Sequence, residues 1–516
     1  METHIQQIII YVLSGLLIVV CGFYAYVKYK HSYWSRRGVK SPPTHPIFGN
    51  FKDTFLMKKS PAQTLKEIYD SADPDDPYIG FYIFHKPILL LRDAQLIKQI
   101  MVKDFTVFPN RRFGSTTEKD SVGLVNLLGI KQPRWKYLRS KITPALTGQK
   151  LRSMIPLMVD RWNPMLHFIE ETKENADGWK YFELKDLSSR YSTDIISSLA
   201  FGITTNSFDK NDTAFWEAGQ GVLSGLKRGI ILIILFYVPE LARFVLPFAT
   251  SPSKFFRQVF WHSMNTREKQ GNKRGDLIDS LLALKNGEQV PEFKFEGDNL
   301  LAQAVAFYIA GFEASSTAIA FALFELARNP DIQEEIYKEI QDVIKNKEMT
   351  MEAINGMQLL DGVVDETLRL YPPLPMTDRI ALTDYQIPDT KLVLEEGMSV
   401  YMSITGTNHD PKNFPDPEKF RPLRRKEENG GLQDSFAFGV GPRSCVGQRM
   451  GQLITKIAII AVVMNYEISY KVDNGNIYNP VTVFTNAADG LNVRFKKRKE
   501  KSINDYLTAL YVIPVR

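Results

Sequence analysis

The sequence has few cysteines and little charge imbalance. Its 516 residues include 2 cysteines, Cys21 in an apolar N-terminal stretch and Cys445 in a glycine-rich one. A disulfide framework is therefore excluded, and we expect the bulk of the chain in a reducing compartment. Basic residues number 64 and acidic residues 58, a formal net charge of +6. No cluster of basic and interleaved aromatic residues resembles a base-stacking surface, so we expect no nucleic-acid partner.

Repeats and flexible linkers are also missing. Gly and Pro are spread along the chain, and no motif recurs at a fixed period, which argues against solenoids and propellers. A content of 44% hydrophobic and 24% charged residues is typical of a globular protein, and the length allows a large core. We therefore expect a single large domain, which we place at residues 51–495.

One long hydrophobic run lies close to the N-terminus. Residues 8–27, IIIYVLSGLLIVVCGFYAYV, carry no charge and would cross a bilayer as a helix of about 30 Å. A cleaved signal peptide fits less well, because the run is long and no small-residue cleavage site follows. Residues 1–28 are predicted to be a transmembrane signal anchor that passes the membrane once. The basic residues after the run predict a cytosolic domain: Lys28, Lys30, Arg36, Arg37 and Lys40.

Two further stretches have more than one interpretation. The basic, proline-rich residues 29–50 are predicted to form a linker, which is either a stiff spacer that orients the domain or a plain loop. The apolar run at residues 230–238 is too short to span a membrane. It fits a buried helix better than a surface patch that dips into lipid.

The secondary-structure pattern predicts a mainly α protein with a minor β portion. Residues 78–92 are rich in aromatic and branched side chains and predict a strand hairpin. Residues 298–328 open with Asp298 as a helix cap and stay apolar on nearly every side. Such a helix belongs in the centre of a large domain. Residues 384–402 return to short strands and turns.

The domain's cysteine lies in the stretch FAFGVGPRSCVGQRMG, residues 436–451. Its small residues would let the backbone approach a large flat cofactor, and glycine allows the positive φ of a tight turn. The helical sequence that follows places Cys445 at a helix N-terminus, where the dipole and the free amides favour a thiolate. Arg443 would pair with a carboxylate of such a cofactor. The fixed elements of this F-x-x-G-x-R-x-C-x-G motif are Phe438, Gly441, Arg443, Cys445 and Gly447.

Three interpretations of Cys445 compete on chemistry alone. A thiolate bound axially to haem iron donates electron density and favours cleavage of the O–O bond. A zinc site would need further Cys, His or carboxylate ligands at short spacing, and none of the 7 histidines lies near Cys445 in sequence. The third interpretation is a plain buried cysteine in a glycine-rich turn.

Further motifs in a specific order make the chain resemble the cytochromes P-450, the haem-thiolate mono-oxygenases, and most closely the microsomal enzymes of insects. The resemblance covers essentially residues 30–495. An isolated E-x-x-R is common by chance, whereas the ordered set is specific. The set comprises Trp135 and Arg139 in WKYLR, AGFEAS at residues 310–315, Glu366 and Arg369 in ETLR, Arg379, Arg424 in PEKFRPLRR, and the loop of Cys445.

The resemblance implies the cytochrome P-450 fold, haem b as the cofactor and Cys445 as its axial thiolate ligand. Phe438 would shield the sulfur, and Gly441 and Gly447 would make room for the cofactor. The residues expected at the haem propionates are Trp135, Arg139, Arg379 and Arg443.

The resemblance also implies a buried structural triad of Glu366, Arg369 and Arg424. Glu366 and Arg369 stand three residues apart on a predicted helix and can face the same neighbour. Arg424 would complete the network and hold the cofactor loop. The alternative is an exposed helix ion pair that contributes little to stability.

The chain departs from the family pattern in the central helix. Ala314 takes the place of the usual Thr, whose hydroxyl helps to organise water and proton delivery for cleavage of dioxygen. Glu313 remains, with Thr317 one turn further on the same side. Ser315, Ser316 or a substrate hydroxyl are the candidates for the missing hydrogen bond. We predict that the protein consumes NADPH but leaks reduced oxygen, unless a neighbouring serine replaces the hydroxyl fully.

Two sets of residues suggest ligands and partners. Basic residues around Trp135 either dock an acidic electron-transfer partner or form a solvated face: Lys131, Arg134, Lys136 and Lys141. Apolar residues in segments that line the family's pocket suit lipophilic small molecules, although each is also ordinary core: Phe105, Phe108, Phe113, the stretch 244–248, Met376, Val483 and Phe484.

The function implied is an NADPH-reductase-dependent mono-oxygenase of the endoplasmic reticulum membrane that inserts one oxygen atom of O2 into lipophilic molecules, xenobiotic or endogenous and lipid- or hormone-like. The implied partners are NADPH-cytochrome reductase, with cytochrome b5 as a further donor, and the lipid bilayer. Ala314 keeps two alternatives open, a reductase-independent isomerase or dehydratase and a haem protein that binds ligand without turnover. The basic C-terminal tail, residues 496–516, is either disordered or weakly membrane-binding.

Overall fold

The computed structural model describes residues 2–113, 122, 125–223, 225–242, 244, 253–344, 349–427, 435–470 and 478–499. The predicted C-terminal tail lies outside the described residues from position 500 onward. The helices are α1 Glu2–His31, α2 Lys52–Phe55, α3 Pro61–Asp70, α4 Ala94–Lys98, α5 Arg134–Ile142, α6 Gly148–Asp160, α7 Trp162–Glu171, α8 Leu184–Ile196, α9 Ala214–Leu223, α10 Leu226–Tyr237, α11 Ser253–Gln270, α12 Leu277–Lys285, α13 Gly297–Arg328, α14 Pro330–Ile344, α15 Met351–Asn355, α16 Gln358–Leu370, α17 Ile404–Asn408, α18 Arg424–Glu427 and α19 Gln448–Asn465. The strands are β1 Tyr78–Ile83, β2 Lys86–Leu91, β3 Lys180–Glu183, β4 Met376–Ile380, β5 Tyr385–Gln386, β6 Val393–Leu394, β7 Ser399–Ser403, β8 Tyr466–Ser469 and β9 Asn492–Lys497. The mainly α architecture with a minor β portion is confirmed.

The central helix α13 organises the domain. It has 32 residues, about 48 Å at 1.5 Å per residue, and it packs against α8, α16 and α19. Its apolar sequence places it in the middle of the largest core cluster. The expected cap at Asp298 is wrong, because the helix begins one residue earlier and Asp298 instead pairs with Arg257 at 2.8 Å.

Three small sheets lie beside the helices. The first has the strand order β1-β2-β7-β4, the second β3-β9-β8, and the third β5-β6. The predicted hairpin is formed by β1 and β2, which pair antiparallel from Tyr78↔Leu91 to Ile83↔Lys86. Its turn falls at Phe84 and His85, and Phe84 has a φ of +53°. The first sheet carries a core cluster on each face.

The N-terminal helix α1 extends away from the domain and meets it at its C-terminal end. Of the described helices, α1 and α13 are long and apolar enough to cross a membrane, and so are α9 and α10 taken together, which meet at 55°. The most apolar stretch of α1 is not buried at all, whereas 72% of the most apolar stretch of α13 is buried. Only α1 therefore has the exposure of a membrane anchor.

Residues 29–50, the expected linker, pack on the first sheet. Trp34 is fully buried and its ring lies so close to Gly80 that an added Cβ there would be 2.3 Å from Trp34 Cγ. His31 Nε2 hydrogen-bonds to the carbonyl oxygen of Phe84 at 3.0 Å. Backbone hydrogen bonds between His45 and Gly49 close a turn. The segment thus ties the anchor helix to the tip of the β1-β2 hairpin.

The apolar run at residues 230–238 forms the C-terminal part of α10 and the residue that follows it, Val238, in keeping with the expected buried helix. Ile231, Ile233 and Phe236 are buried, while Ile230 is 40% exposed. The helix lies tightly on the C-terminal loop, since a Cβ at Gly229 would stand 2.0 Å from the Val481 carbonyl oxygen.

Candidate functional site

The loop before α19 is held in shape by backbone hydrogen bonds and by glycine. Cys445 N–H donates to the Phe438 carbonyl at 2.8 Å, and Ser444 N–H donates to Gly441 at 2.9 Å. Gly441 has a φ of +76°, and a Cβ on it would lie 2.3 Å from the Met101 carbonyl oxygen. This glycine is therefore required by the packing of the loop against residues 99–103, which is a reason that the sequence did not indicate.

Cys445 lies where the loop turns into the helix. Gly447 is the N-cap of α19, and a Cβ there would only meet Cys445 Sγ at 4.0 Å. Burial in the domain raises the pKa of the Cys445 thiol, whereas a hydrogen bond from the Gly447 backbone and the charges of Arg139 and Arg111 lower it. The side chain nevertheless has accessible surface. A sulfur that is accessible yet surrounded by protein faces an internal space.

A cluster of arginines surrounds this cysteine. Arg139 Nη1 donates to the Ser444 carbonyl at 2.9 Å, and Arg111 Nη2 donates to that of Arg443 at 3.3 Å. Arg443 donates to the carbonyls of Pro109 at 2.6 Å and Ile130 at 3.0 Å. Its guanidinium lies 4.4 Å from the ring centre of Trp135, so Trp135 supports Arg443.

The cluster has donors without acceptors. Three of its buried N–H groups have no hydrogen-bond partner among the described residues, Nε of Arg111, Nε of Arg379 and Nη1 of Arg443. Burial and mutual repulsion lower the pKa of Arg443 to about 8 and that of Arg379 to about 9. Because guanidinium groups stay charged in proteins, these values express a buried positive charge that Asp378 compensates only in part. The carboxylates of haem would supply both the charge and the missing acceptors, so the residues present fit this cofactor.

A metal held by protein side chains alone has less support. The described ranges contain no group of three or more His, Cys, Asp or Glu side chains that could hold a metal ion. Cys445 is therefore a lone donor in the described part of the domain, which suits an axial ligand and does not suit zinc.

The middle of α13 has one accessible face. Ala310 and Ala314 are exposed while Phe312, Glu313 and Ser315 are buried, and residues four apart share a helix face. Exposed alanines in the most buried helix indicate that this face borders an internal space. Ala314 brings no hydroxyl to it.

The polar residues next to Ala314 are bound by a lysine of α8. Lys185 Nζ donates to Glu313 Oε1 at 3.0 Å, to Ser316 Oγ at 2.8 Å and to Thr317 Oγ1 at 2.7 Å. Gly311 makes the close approach possible, because a Cβ there would lie 2.5 Å from Ile196 Cδ1. Ser316, one of the expected substitutes for the missing hydroxyl, is thus bound by Lys185 together with Thr317.

The triad residues meet in the buried interior. Arg369 forms a two-pronged ion pair with Glu366 at 2.8 and 2.9 Å, and Arg424 Nε donates to Glu366 at 3.1 Å. None of the three is more than 5% exposed, so they are not a surface ion pair. Arg369 also donates to the Asn408 carbonyl at 2.8 Å, and Asn408 Oδ1 accepts from the backbone of Phe436 at 3.3 Å. The triad is therefore connected to the first residue of the cysteine loop.

The expected pocket residues divide into two groups. Phe113 packs on Phe236 with ring centres 4.5 Å apart, and Phe236 meets Phe484 at 6.4 Å. Met376 and Val483 belong to the same cluster. Phe108 instead packs on Tyr385 in the cluster on the other face of the first sheet, Phe105 lies against Trp135, Phe244 is 63% exposed, and residues 245–248 lie outside the described residues.

A groove of about 470 Å³ opens on the outer side of the cysteine loop, lined among others by Lys98, Phe438, Gln448 and Gln452. Phe438 therefore lies between the cysteine loop and this groove.

Three basic residues are exposed on α5, Arg134, Lys136 and Lys141.

Three residues of the site escaped the sequence interpretation. Arg111, Lys185 and Asp378 lie outside the family motifs of the sequence. Only folding brings Arg111 and Asp378 to the cysteine loop and Lys185 to the central helix. Arg111 and Arg112 form a basic dipeptide in the sequence. Such dipeptides are also common on protein surfaces, so the sequence does not indicate that this one is buried beside Cys445.

Comparisons with known proteins match nearly the whole domain, and three of the similar relatives are given below. The model described as Cytochrome P450 matches residues 39–493. The chain is 36% identical over 479 residues to "Cytochrome P450 6k1" of Blattella germanica, an alignment that covers 88% of this chain and 90% of the relative. It is 34% identical over 514 residues to "Probable cytochrome P450 6g2" of Drosophila melanogaster, covering 95% and 98%. To "Cytochrome P450 6a2" of the same species it is 32% identical over 510 residues, covering 94% and 100%.

Proposed function

The chain belongs to the cytochrome P450 family, and on that premise we propose that it is a membrane-anchored mono-oxygenase that uses electrons from NADPH, delivered by a reductase, to oxidise lipophilic small molecules. Family members are haem-thiolate oxidoreductases. Haem with a thiolate ligand supplies the redox chemistry that activates dioxygen and transfers one of its atoms to a C–H or double bond.

The proposal assigns cofactor binding to Cys445 and the arginine cluster. Cys445 would provide the axial thiolate, since Cys21 lies in α1, far along the chain from the domain core. Arg111, Arg139, Arg379 and Arg443 would bind the carboxylates. The observation that carries this assignment is the set of three buried arginine N–H groups without acceptors beside the accessible sulfur.

The proposal assigns proton delivery to the polar network on α13. Glu313 Oε1, which Lys185 holds at 3.0 Å, would pass protons to the space beside Ala314. Because that space has no threonine hydroxyl, water would have to take its place, and we expect poorer use of reduced oxygen for product formation.

Substrate binding is proposed for the cluster of Phe113, Phe236 and Phe484. Its rings come from three separate segments and pack together as an apolar wall, of which Phe113 and Phe236 are buried and Phe484 is partly buried. Such a wall suits lipophilic substrates. We propose that α1 anchors the chain in the endoplasmic reticulum membrane with the domain in the cytosol. The exposed basic residues of α5 and the adjacent groove would bind NADPH-cytochrome reductase. Cytochrome b5 would be a second electron donor.

The Cys445→Ser variant tests the haem assignment. We expect its reduced carbon-monoxide complex to lose the long-wavelength Soret band of thiolate ligation, while Cys21→Ser keeps that band and serves as the matched control. A Cys445→Ser protein with the wild-type spectrum would refute the assignment.

The accessible Ala314, without a hydroxyl beside it, favours a second candidate, a reductase-independent isomerase or dehydratase of peroxides. NADPH oxidation and product formation with purified reductase, with and without lipophilic substrates, would support the mono-oxygenase. Turnover of an organic hydroperoxide together with no response to reductase would support the alternative. Ligand-induced spectral shifts without any turnover would indicate a binding protein.

A further inference from the structure

Asp378 is a buried carboxylate at the edge of the arginine cluster. It lies in the middle of β4 and is 3% exposed. On one side β4 pairs with β7, which sets Asp378 opposite Tyr401. On the other side a bridge between Asn110 and Ile380 lays the chain at residues 110–112 along the strand. The backbone N–H of Arg112 donates to Asp378 Oδ2, so the position of this carboxylate is fixed.

The charge of Asp378 reaches three arginines of the cluster. Burial and the repulsion of Arg111 lower the pKa of Arg379, and Asp378 acts against this shift. Arg443 donates to the Pro109 carbonyl at 2.6 Å, in the same segment whose Arg112 backbone binds Asp378. Burial also lowers the pKa of Arg111, which Asp378 and Cys445 oppose. Arg112 is different, because Glu240 pairs with it at 3.3 Å from the more exposed side.

Asp378 compensates charge without occupying the donors. Arg379 Nη1 donates to the backbone carbonyl of Asp378 at 2.6 Å, and the carboxylate accepts from the Arg112 backbone. The unpartnered N–H groups of Arg111, Arg379 and Arg443 therefore stay available. A carboxylate that paired directly with these donors would compete with the cofactor.

We propose that Asp378 sets the net charge that the arginine cluster presents to the haem carboxylates, and thereby the reduction potential of the iron. It is a positioning residue that acts through the arginines, and the inference rests on the proposed haem site. The four guanidinium charges of the cluster, from Arg111, Arg139, Arg379 and Arg443, face three negative charges, one from Asp378 and two from the carboxylates of haem b. Without Asp378 the excess of positive charge rises by one, which favours the reduced iron because reduction adds an electron.

Asp378→Asn tests this inference because it removes the charge and keeps the shape. We expect a positive shift of the iron midpoint potential in a spectroelectrochemical titration, with the thiolate Soret band of the reduced carbon-monoxide complex unchanged. Asp384→Asn is the control, since Asp384 is an exposed carboxylate six residues further along the chain. An unshifted potential in Asp378→Asn, or an equal shift in Asp384→Asn, would overturn the inference.

Asp378→Glu covers the case in which Asp378→Asn does not retain haem. Retention of haem at the wild-type potential in Asp378→Glu would then support a role for the charge. Loss of haem in both variants would show that the site needs the shape of Asp378, which contradicts the inference. Loss of the thiolate spectrum in the wild-type protein would be a failure of the proposed haem site, which is a separate outcome.

Discussion

Ala314 faces the internal space with a methyl group where the family pattern has a hydroxyl, and the nearby hydroxyls of Ser316 and Thr317 accept hydrogen bonds from Lys185. Ser316, two residues after Ala314, lies on the opposite side of the helix. Thr317 lies closer to the Ala314 face but is buried and bound by Lys185. Ser315 is buried as well. At the scale of single residues, the proposed effect on oxygen use therefore rests on Ala314, whose side chain has no polar atom.

Ala314→Thr is expected to raise the amount of product formed per NADPH consumed, because a hydroxyl would again order water beside Glu313. The measurement compares NADPH oxidation, hydrogen peroxide release and product with purified reductase. Ala310→Ser, one turn earlier on the same face, is the matched control for an added hydroxyl. Equal coupling in wild type and Ala314→Thr would show that neighbouring groups already replace the hydroxyl.

Asp194, near the end of α8, gives a prediction about stability and pH. It is fully buried and accepts hydrogen bonds from Ser207 and Thr205, and burial raises its pKa from 3.8 to about 6. The folded protein therefore holds the proton of Asp194 more tightly than the unfolded chain does. The protonated carboxyl stabilises the fold fully below about pH 4, and this stabilisation is lost as the pH rises through 6. The free energy of unfolding falls by about 3 kcal/mol over this range.

The Asp194→Asn variant should therefore show a flatter dependence of the thermal midpoint on pH between about 4 and 6, since Asn cannot ionise. Asp209→Asn, at an exposed position in the following loop, should keep the wild-type dependence. An unchanged slope in Asp194→Asn would mean that Asp194 ionises in the folded protein as it does in the unfolded chain.

At the scale of elements, α16 and the cysteine loop are joined through buried charges. Glu366 accepts from two arginines, and one of them, Arg369, holds Asn408, which in turn binds the backbone of Phe436. Gly362 allows α16 to approach the loop before α18, since a Cβ there would lie 2.1 Å from the Pro422 carbonyl oxygen. We therefore expect a change in this network to alter the conformation of the cysteine loop.

Glu366→Gln is expected to destabilise the fold by about 3–5 kcal/mol, because Arg369 and Arg424 would remain buried without a counter-charge. The readouts are the thermal midpoint and the fraction of purified protein that carries haem. Glu335→Gln, exposed on α14, controls for loss of a surface carboxylate. A Glu366→Gln protein with unchanged midpoint and haem content would exclude a structural role for the triad.

At the scale of the whole molecule, the anchor and the domain meet through residues 27–39. Val27 and Val39 are buried and Trp34 is fully buried, and the Tyr82 hydroxyl donates to the His31 carbonyl at 2.8 Å. The segment after the exposed helix thus packs on the domain, and it fixes the C-terminal end of α1 relative to the β1-β2 hairpin.

Two truncations test this division. Deletion of residues 2–26 should move the protein from the membrane fraction to the supernatant or weaken its attachment, with the thermal midpoint preserved. Deletion of residues 2–37 also removes Trp34 and should cost about 3–5 kcal/mol, the range for loss of a large core side chain. Equal midpoints in the two proteins would show that residues 27–37 do not stabilise the domain.

The sequence by itself determined the local features of this protein. Hydrophobic period and length predicted the anchor, the central helix at residues 298–328 and the hairpin at 78–92, because these depend on neighbouring residues. The ordered motifs indicated the family, the cofactor and the residues Cys445, Glu366, Arg369 and Arg424 as a set.

Only the tertiary structure decided which residues meet across the chain. Lys185 reaches Glu313 over a separation of 128 residues, and Arg111 and Asp378 join the cluster around Arg443 through strand pairing. It also decided that Gly441 serves the packing of its loop and that residues 29–50 belong to the domain. Such contacts depend on how distant segments pack and share buried charge, and no local pattern of side chains carries that information.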